Sequence, residues 1–256
     1  MKKFVFLLTI FLISTLLLTS CDLIEKFRPT QSIEGSGEVV IEKRDLPGYN
    51  RIEASGDFEL YVTQLSHGVE VHADNNLMKY IRTYVQEHTL VIETTDAAGR
   101  DINLRTLEPI RVYVRLTRIE GISLARGVDL TSSQLVAENA RIDLSLSGGS
   151  TAHINAIRTG TLNINLAGES DLRVVDGRVT EQFITASDGS VYEAEWLRSE
   201  LTEIKLAGGS EATIWAKDTF QVDLTDGSIA YYYGSPVNLT EIQNRDGSDY
   251  ISRGDR

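Results

Sequence analysis

The chain repeats itself. A serine at one fixed place in a local frame recurs at Ser150, Ser170, Ser190, Ser210, Ser228 and Ser248, in steps of 20, 20, 20, 18 and 20 residues. Val128 holds that place 22 residues before Ser150, and Phe58 holds it in a more distant copy. A period of this size means that each unit is too small to bury its own apolar face and must stack on its neighbours.

The columns of the repeat show how a unit folds. Six residues before the marker stand Ile122, Leu144, Ile164, Ile184, Ile204, Val222 and Ile242; four before it stand Leu124, Leu146, Leu166, Ala186, Leu206, Leu224 and Asn244. Two after it stand Leu130, Ala152, Leu172, Tyr192, Ala212, Ala230 and Tyr250, and four after it Ile154, Val174, Ala194, Ile214 and Tyr232. The columns between are mostly polar, as in Ser145, Asn165, Thr185, Lys205, Asp223 and Gln243. That is period-two alternation on both sides of the marker, the pattern of half-buried strands. Between the strands lies a turn dipeptide, among them Gly148-Gly149, Asp188-Gly189, Asp226-Gly227 and Asp246-Gly247. Glycine reaches positive φ without steric cost and Asp tolerates it. Each unit is strand, tight corner, strand. The predicted fold is all-β, a single-stranded parallel β-helix (β-solenoid) with rungs of about 20 residues. A propeller blade needs about 40 residues, and an antiparallel meander is the alternative that the alternation leaves open.

Residues 38–116 are less regular. Tyr49 to Val62 keeps the frame, and Val69-Glu70-Val71, Thr89 to Ile92 and Ile110 to Leu116 read as further strands. Leu77 to Gln86 has room for one short helical turn, and Asp96 to Asp101 reads as an exposed loop. These segments are expected to form looser coils of the same stack, or a small sheet capping its N-terminal end.

The start of the chain is an address. Met1-Lys2-Lys3 precedes an apolar stretch from Phe4 to Leu18, then Thr19, Ser20 and Cys21. A short basic start, an apolar run and small residues before a cleavage point describe a secretory signal peptide. The run is short for a hydrocarbon core of about 30 Å, which weighs against a transmembrane anchor. Leu18-Thr19-Ser20-Cys21 resembles a bacterial lipobox, which implies cleavage before Cys21 and a diacylglycerol on its thiol. The expected organisation is a lipoprotein signal peptide at 1–20, a lipidated tether at 21–37, the solenoid at 38–252 and a short tail at 253–256. The expected location is the bacterial cell envelope, on the periplasmic or the surface face.

Charge narrows the partners. The chain has 25 basic and 37 acidic residues, a net charge of −12; without residues 1–20 it loses two lysines and no acid and reaches −14. Phosphate backbones need clustered Lys and Arg, so nucleic acid is not an expected partner. The membrane is expected to hold the chain through acyl chains, each buried CH₂ contributing about 0.8 kcal/mol, and not through a basic patch. One cysteine excludes an intrachain disulfide framework and a Cys-based zinc site.

With these residues in view, the chain resembles a known family. Tyr49, Ile52, Ser55-Gly56, Phe58, Val62, Val69, Asn76-Leu77, Ile81, Val85 and Leu90-Val91-Ile92, followed by repeats of the Leu166-Ala167-Gly168-Glu169-Ser170-Asp171-Leu172 type, look like the head GIN domain of auto-transporter adhesins, over about residues 38–235. The resemblance implies a parallel β-helix akin to pectin lyases without their catalytic residues, a role in adhesion, and no ligand residues to carry over.

Several residues are candidates for chemistry. A nucleophilic serine needs a base beside it, and no histidine recurs with the marker serines, so their column reads as a ladder of small corner side chains hydrogen-bonded along the stack. Asp226 and Asp246 on successive corners are weak calcium candidates, with a conformational role as the simpler reading. Tyr231 and Tyr233 point outward in the frame, with Tyr232 inward, and form a candidate glycan platform; Trp196 and Trp215 are further stacking candidates. Arg253-Gly254-Asp255 reads as a frayed polar end. No cofactor is expected. The leading expectation is a non-catalytic solenoid that binds an extended glycan or another cell-surface component. A lyase or hydrolase on the same scaffold, and a structural or signalling envelope component, are the alternatives.

Overall fold

The computed structural model describes residues 32–255. The signal peptide, Cys21 and most of the expected tether lie outside the described residues. In chain order the strands are β1 (Ser32–Glu34), β2 (Val39–Arg44), β3 (Arg51–Ser55), β4 (Glu59–Gln64), β5 (Gly68–Asp74), β6 (Ile81–Gln86), β7 (Thr89–Thr94), β8 (Asn103–Arg105), β9 (Arg111–Leu116) and β10 (Gly121–Ala125). They continue with β11 (Asp129–Ser132), β12 (Leu135–Leu146), β13 (Thr151–Leu166), β14 (Asp171–Ala186), β15 (Val191–Leu206), β16 (Glu211–Leu224), β17 (Ile229–Tyr233), β18 (Asn238–Asn244) and β19 (Asp249–Ser252). A 3-10 turn at Met78–Tyr80 falls inside the segment expected to hold one.

The fold is the parallel β-solenoid that the repeat predicted. Thr151 pairs with Asp171, Asp171 with Val191 and Val191 with Glu211, all in parallel, so the sequence period is the rung. The inward columns stack as columns. Leu90, Ile52, Ile122, Leu144, Ile164, Ile184, Ile204 and Val222 follow one another in register, and all are buried. Each such side chain contributes about 1.5–3 kcal/mol by leaving water, and none could do so without the rung above and below it.

Each long strand bends to make a third, short face. In β13 the segments Thr151–Ile154, Ala156–Thr159 and Thr161–Leu166 pair separately with β14. At this bend Gly177 approaches the preceding rung so closely that a Cβ would stand 2.1 Å from the Ile157 carbonyl oxygen. Beneath it lies a satisfied polar network. The Gln182 amide donates to Ser199 Oγ at 2.9 Å and Thr202 Oγ1 at 3.0 Å, Tyr192 donates to Gln182 Oε1 at 3.2 Å, and Ser199 donates to the Trp215 carbonyl at 2.7 Å. Burial pushes the Tyr192 phenol well above its ordinary pKa.

The looser N-terminal part both continues the stack and caps it. β3 and β4 form a rung directly before β10 and β11, with Ile52 opposite Ile122 and Leu60 opposite Leu130. The later strands β7 and β9 form the rung beyond that, on the outer side of β3 and β4. Sequence order and stacking order are therefore reversed at this end. The antiparallel strands β6 on β7, β5 on β9 and β2 on β5 close it. Within the segment read as tether, β1 pairs in parallel with β8.

The far end departs from the frame. Ile242 was expected inward beside Val222. A register shift in the pairing of β16 with β18 sets Glu241 opposite Val222 and Gln243 opposite Asp223, and Ile242 bulges out, 49% exposed. The 18-residue step runs from Ser210 to Ser228, and its shortfall is absorbed where β15 pairs with β16, between Glu193 and Arg198 and between Ser199 and Leu201; the bulge at Ile242 is a separate extra residue in β18.

Candidate functional site

The serine column is sealed. Ser150, Ser170, Ser190, Ser210 and Ser228 are buried, and each hydroxyl donates to the carbonyl three residues earlier in its own corner at 2.8 Å. The ladder expected along the stack is secondary: Ser170 N–H donates to Ser190 Oγ at 3.2 Å and Ser228 N–H to Ser248 Oγ at 3.1 Å. His153 lies on the outer face, in register between Thr131 and Arg173, away from every one of these hydroxyls.

The corner aspartates have a backbone role. Asp188, Asp226 and Asp246 sit at φ 58, 57 and 59, each followed by a glycine that is also at positive φ. The two successive left-handed residues form the tight corner. Gly208 shows how closely corners stack: its φ is +63, and a Cβ there would stand 2.9 Å from Asp188 N. The Asp226 carboxylate accepts from Thr225 Oγ1 at 3.0 Å, and that of Asp246 pairs with Arg245 at 3.5 Å. Among the described residues no three His, Cys, Asp or Glu gather as a metal site.

The C-terminal triplet does not fray. The Arg253 N–H donates to the Tyr232 carbonyl at 2.8 Å, its guanidinium lies 4.1 Å from the Tyr231 ring centre, and Asp255 accepts from Ser235 Oγ at 3.1 Å. This packing divides the Tyr231–Tyr233 pair. Tyr231 lies under Arg253, whereas Tyr233 stands in register with Trp215 on the third face. Tyr232 points inward, against Phe220 at 5.1 Å and Tyr250 at 6.5 Å.

Beside Trp215 the third face opens into a groove of about 770 Å³. Arg158, Arg178 and Arg198 line it as one in-register column, and the same column continues beyond the groove to Trp215 and Tyr233. Arg198 lies over the Trp215 ring at 5.1 Å, and the Trp196 and Trp215 rings are 6.4 Å apart. The sequence reading missed the arginines. Their signal was available, because each stands eight residues after its marker serine.

A second charged cluster lies where the first face meets the bend. Asp143 accepts from Arg141 at 2.5 Å, Asn163 at 2.9 Å and Arg51 at 3.2 Å. Burial raises its carboxyl pKa, and these three donors outweigh burial and hold it below the usual range. The cluster is charge-satisfied and serves the fold.

Relatives fit this geometry. The family model described as "Putative auto-transporter adhesin, head GIN domain" matches residues 48–236. The chain belongs to the head GIN domain family. Solved structures share the fold. A Bacteroides fragilis protein titled a putative adhesin superposes with a TM-score of 0.75 at 18% identity, covering 87% of this chain and 98% of its own. A Parabacteroides distasonis protein titled a putative adhesin gives 0.59 at 16% identity, covering 88% and 98%. A second protein from P. distasonis, titled a putative lipid binding protein, gives 0.63 at 14% identity, covering 88% and 100%. No curated protein matches the chain. The head GIN match ends before β18 and β19, so the last rung extends past it.

Proposed function

We propose that this chain is an acylated envelope protein that presents a non-catalytic β-solenoid for adhesion to an extended surface ligand such as a glycan. The observation that carries the reading is the continuity of the outer columns. His153, Arg173, Glu193, Thr213, Tyr231 and Ile251 follow one another in register on one face, and the arginine and aromatic column runs parallel to them on another. A stack repeats its contacts along an extended ligand, and many copies on one surface add weak contacts. Membership of an adhesin family supports the reading, and so does the use of the marker hydroxyls within the corners. The lipobox supports acylation at Cys21 and a place in the envelope.

Cells that make this chain are compared with cells that make Cys21→Ala and with cells that lack it. The wild type takes up a clickable palmitate and adheres to immobilised polysaccharide; Cys21→Ala takes up none and adheres like cells lacking the chain. Equal label on both proteins would refute the anchor, and equal adhesion with and without the chain would refute the binding role.

A further inference from the structure

The basic column is out of keeping with the rest of the molecule. Acidic residues outnumber basic ones 37 to 25, yet Arg158, Arg178 and Arg198 stand directly opposite one another on three successive strands. Strands lie about 4.8 Å apart, so three guanidinium groups start from one line about 10 Å long. Like charges placed opposite each other weaken a sheet. The side chains are exposed and add nothing to the core.

Their neutralisation is partial. Glu200 pairs with Arg178 at 3.3 Å, and the Trp215 ring faces Arg198. No carboxylate among the described residues is in ion-pair contact with Arg158 or Arg198. Lys217, paired with Asp218 at 3.4 Å, also lines the groove, as do Asp176 and Glu200. At the bend the Gly177 backbone forms part of the groove lining, between Asp176 and Arg178. At its far end the column changes from guanidinium groups to the indole of Trp215, with Trp196 beside it. The groove has cations spaced at the strand repeat with hydrogen-bonding edges between, and a stacking surface adjoins it in line with them.

We propose that this groove binds a linear acidic polysaccharide, with carboxylate or sulfate groups on Arg158, Arg178 and Arg198 and a sugar ring on Trp215. The inference rests on the glycan-binding reading and narrows it to a class and a face. A planar guanidinium matches a carboxylate or sulfate with two parallel hydrogen bonds. A flat anionic membrane does not enter a groove.

The full chain is titrated with polygalacturonate, heparin, neutral dextran, a single-stranded oligonucleotide and anionic phospholipid vesicles, at several salt concentrations. An acidic polysaccharide binds more tightly than dextran and weakens with salt. The triple variant Arg158→Gln, Arg178→Gln, Arg198→Gln melts like wild type and loses about tenfold or more in affinity, and its slope of log affinity against log salt falls by about one per arginine. Trp215→Ala weakens binding and leaves that slope unchanged. Lys205→Gln, on another face and paired with Glu203, changes neither. Should the triple variant misfold, Arg158→Gln alone carries the test through the same slope. Wild-type affinity in a folded triple variant, or dextran bound as tightly as the acidic chains, overturns the inference and leaves general glycan binding intact. Preference for the oligonucleotide or the vesicles overturns it in favour of that partner. Binding to no polysaccharide overturns the inference and the glycan reading together.

Discussion

The Ser190 hydroxyl lies 2.8 Å from the Ser187 carbonyl oxygen, three residues back across the Asp188-Gly189 corner. The same oxygen accepts the Ser190 N–H at 3.3 Å, and Ser190 Oγ accepts the Ser170 N–H at 3.2 Å from the rung before. One small buried side chain thus closes its own corner and ties it to the previous one. A larger residue would not fit, and an apolar one would leave the Ser170 N–H without its partner.

Ser190→Ala is therefore expected to lower stability by about 1–3 kcal/mol, the usual effect of leaving a buried polar group unpaired, and to leave ligand binding unchanged. Urea unfolding of the purified protein checks the first and a polysaccharide titration the second. A variant as stable as wild type would remove the corner role; one of native stability without binding would move the serine column into the site.

The inward and outward columns make a paired prediction at neighbouring positions. Ile204 is fully buried, whereas Lys205 is about half exposed and pairs with Glu203 at 2.9 Å. Ile204→Ala is expected to cost about 2–5 kcal/mol, and Lys205→Ala no more than about 0.5 kcal/mol. Urea midpoints that moved equally would contradict the register.

The charged cluster at Asp143 predicts an acid limb. A carboxyl held below its ordinary value of about 3.9 binds protons less readily folded than unfolded. Its contribution is complete above that value and is lost as pH falls through the lower folded one. The difference in urea midpoint between wild type and Asp143→Asn is thus expected to shrink as pH falls from about 5 to about 2. A difference constant across that range would mean that Arg141, Asn163 and Arg51 do not hold the carboxylate down.

Much of this is legible in the sequence. The inward columns from Ile122 to Val222, the corner dipeptides, the inward turn of Tyr232 and the 3-10 turn near Leu77 follow from local pattern, because a parallel stack repeats the same local problem on every rung. Three features were not. The placement of β7 and β9 outside β3 and β4 depends on pairing across tens of residues, which no local period encodes. The bulge at Ile242 is one extra residue in β18 against β16, and an apolar residue looks the same in sequence whether it is seated or displaced. The fate of the outward tyrosines depended on what covers them: Arg253 lies over Tyr231, a contact that period-two alternation cannot show. The arginine column was as regular as the core columns but lay eight residues after the marker, beyond the columns from which the frame was read.

The central claim is binding without turnover, and one experiment tests it most directly. The purified chain is incubated with a polysaccharide panel, with and without calcium, and retention of the polymer and release of reducing sugar or unsaturated product are followed in the same sample. We predict retention of an acidic polysaccharide with no product, unchanged by calcium or by Asp226→Asn and Asp246→Asn. Product that forms with the wild type and disappears in Asp226→Asn or Asp246→Asn would contradict the account and make the solenoid a carbohydrate-active enzyme.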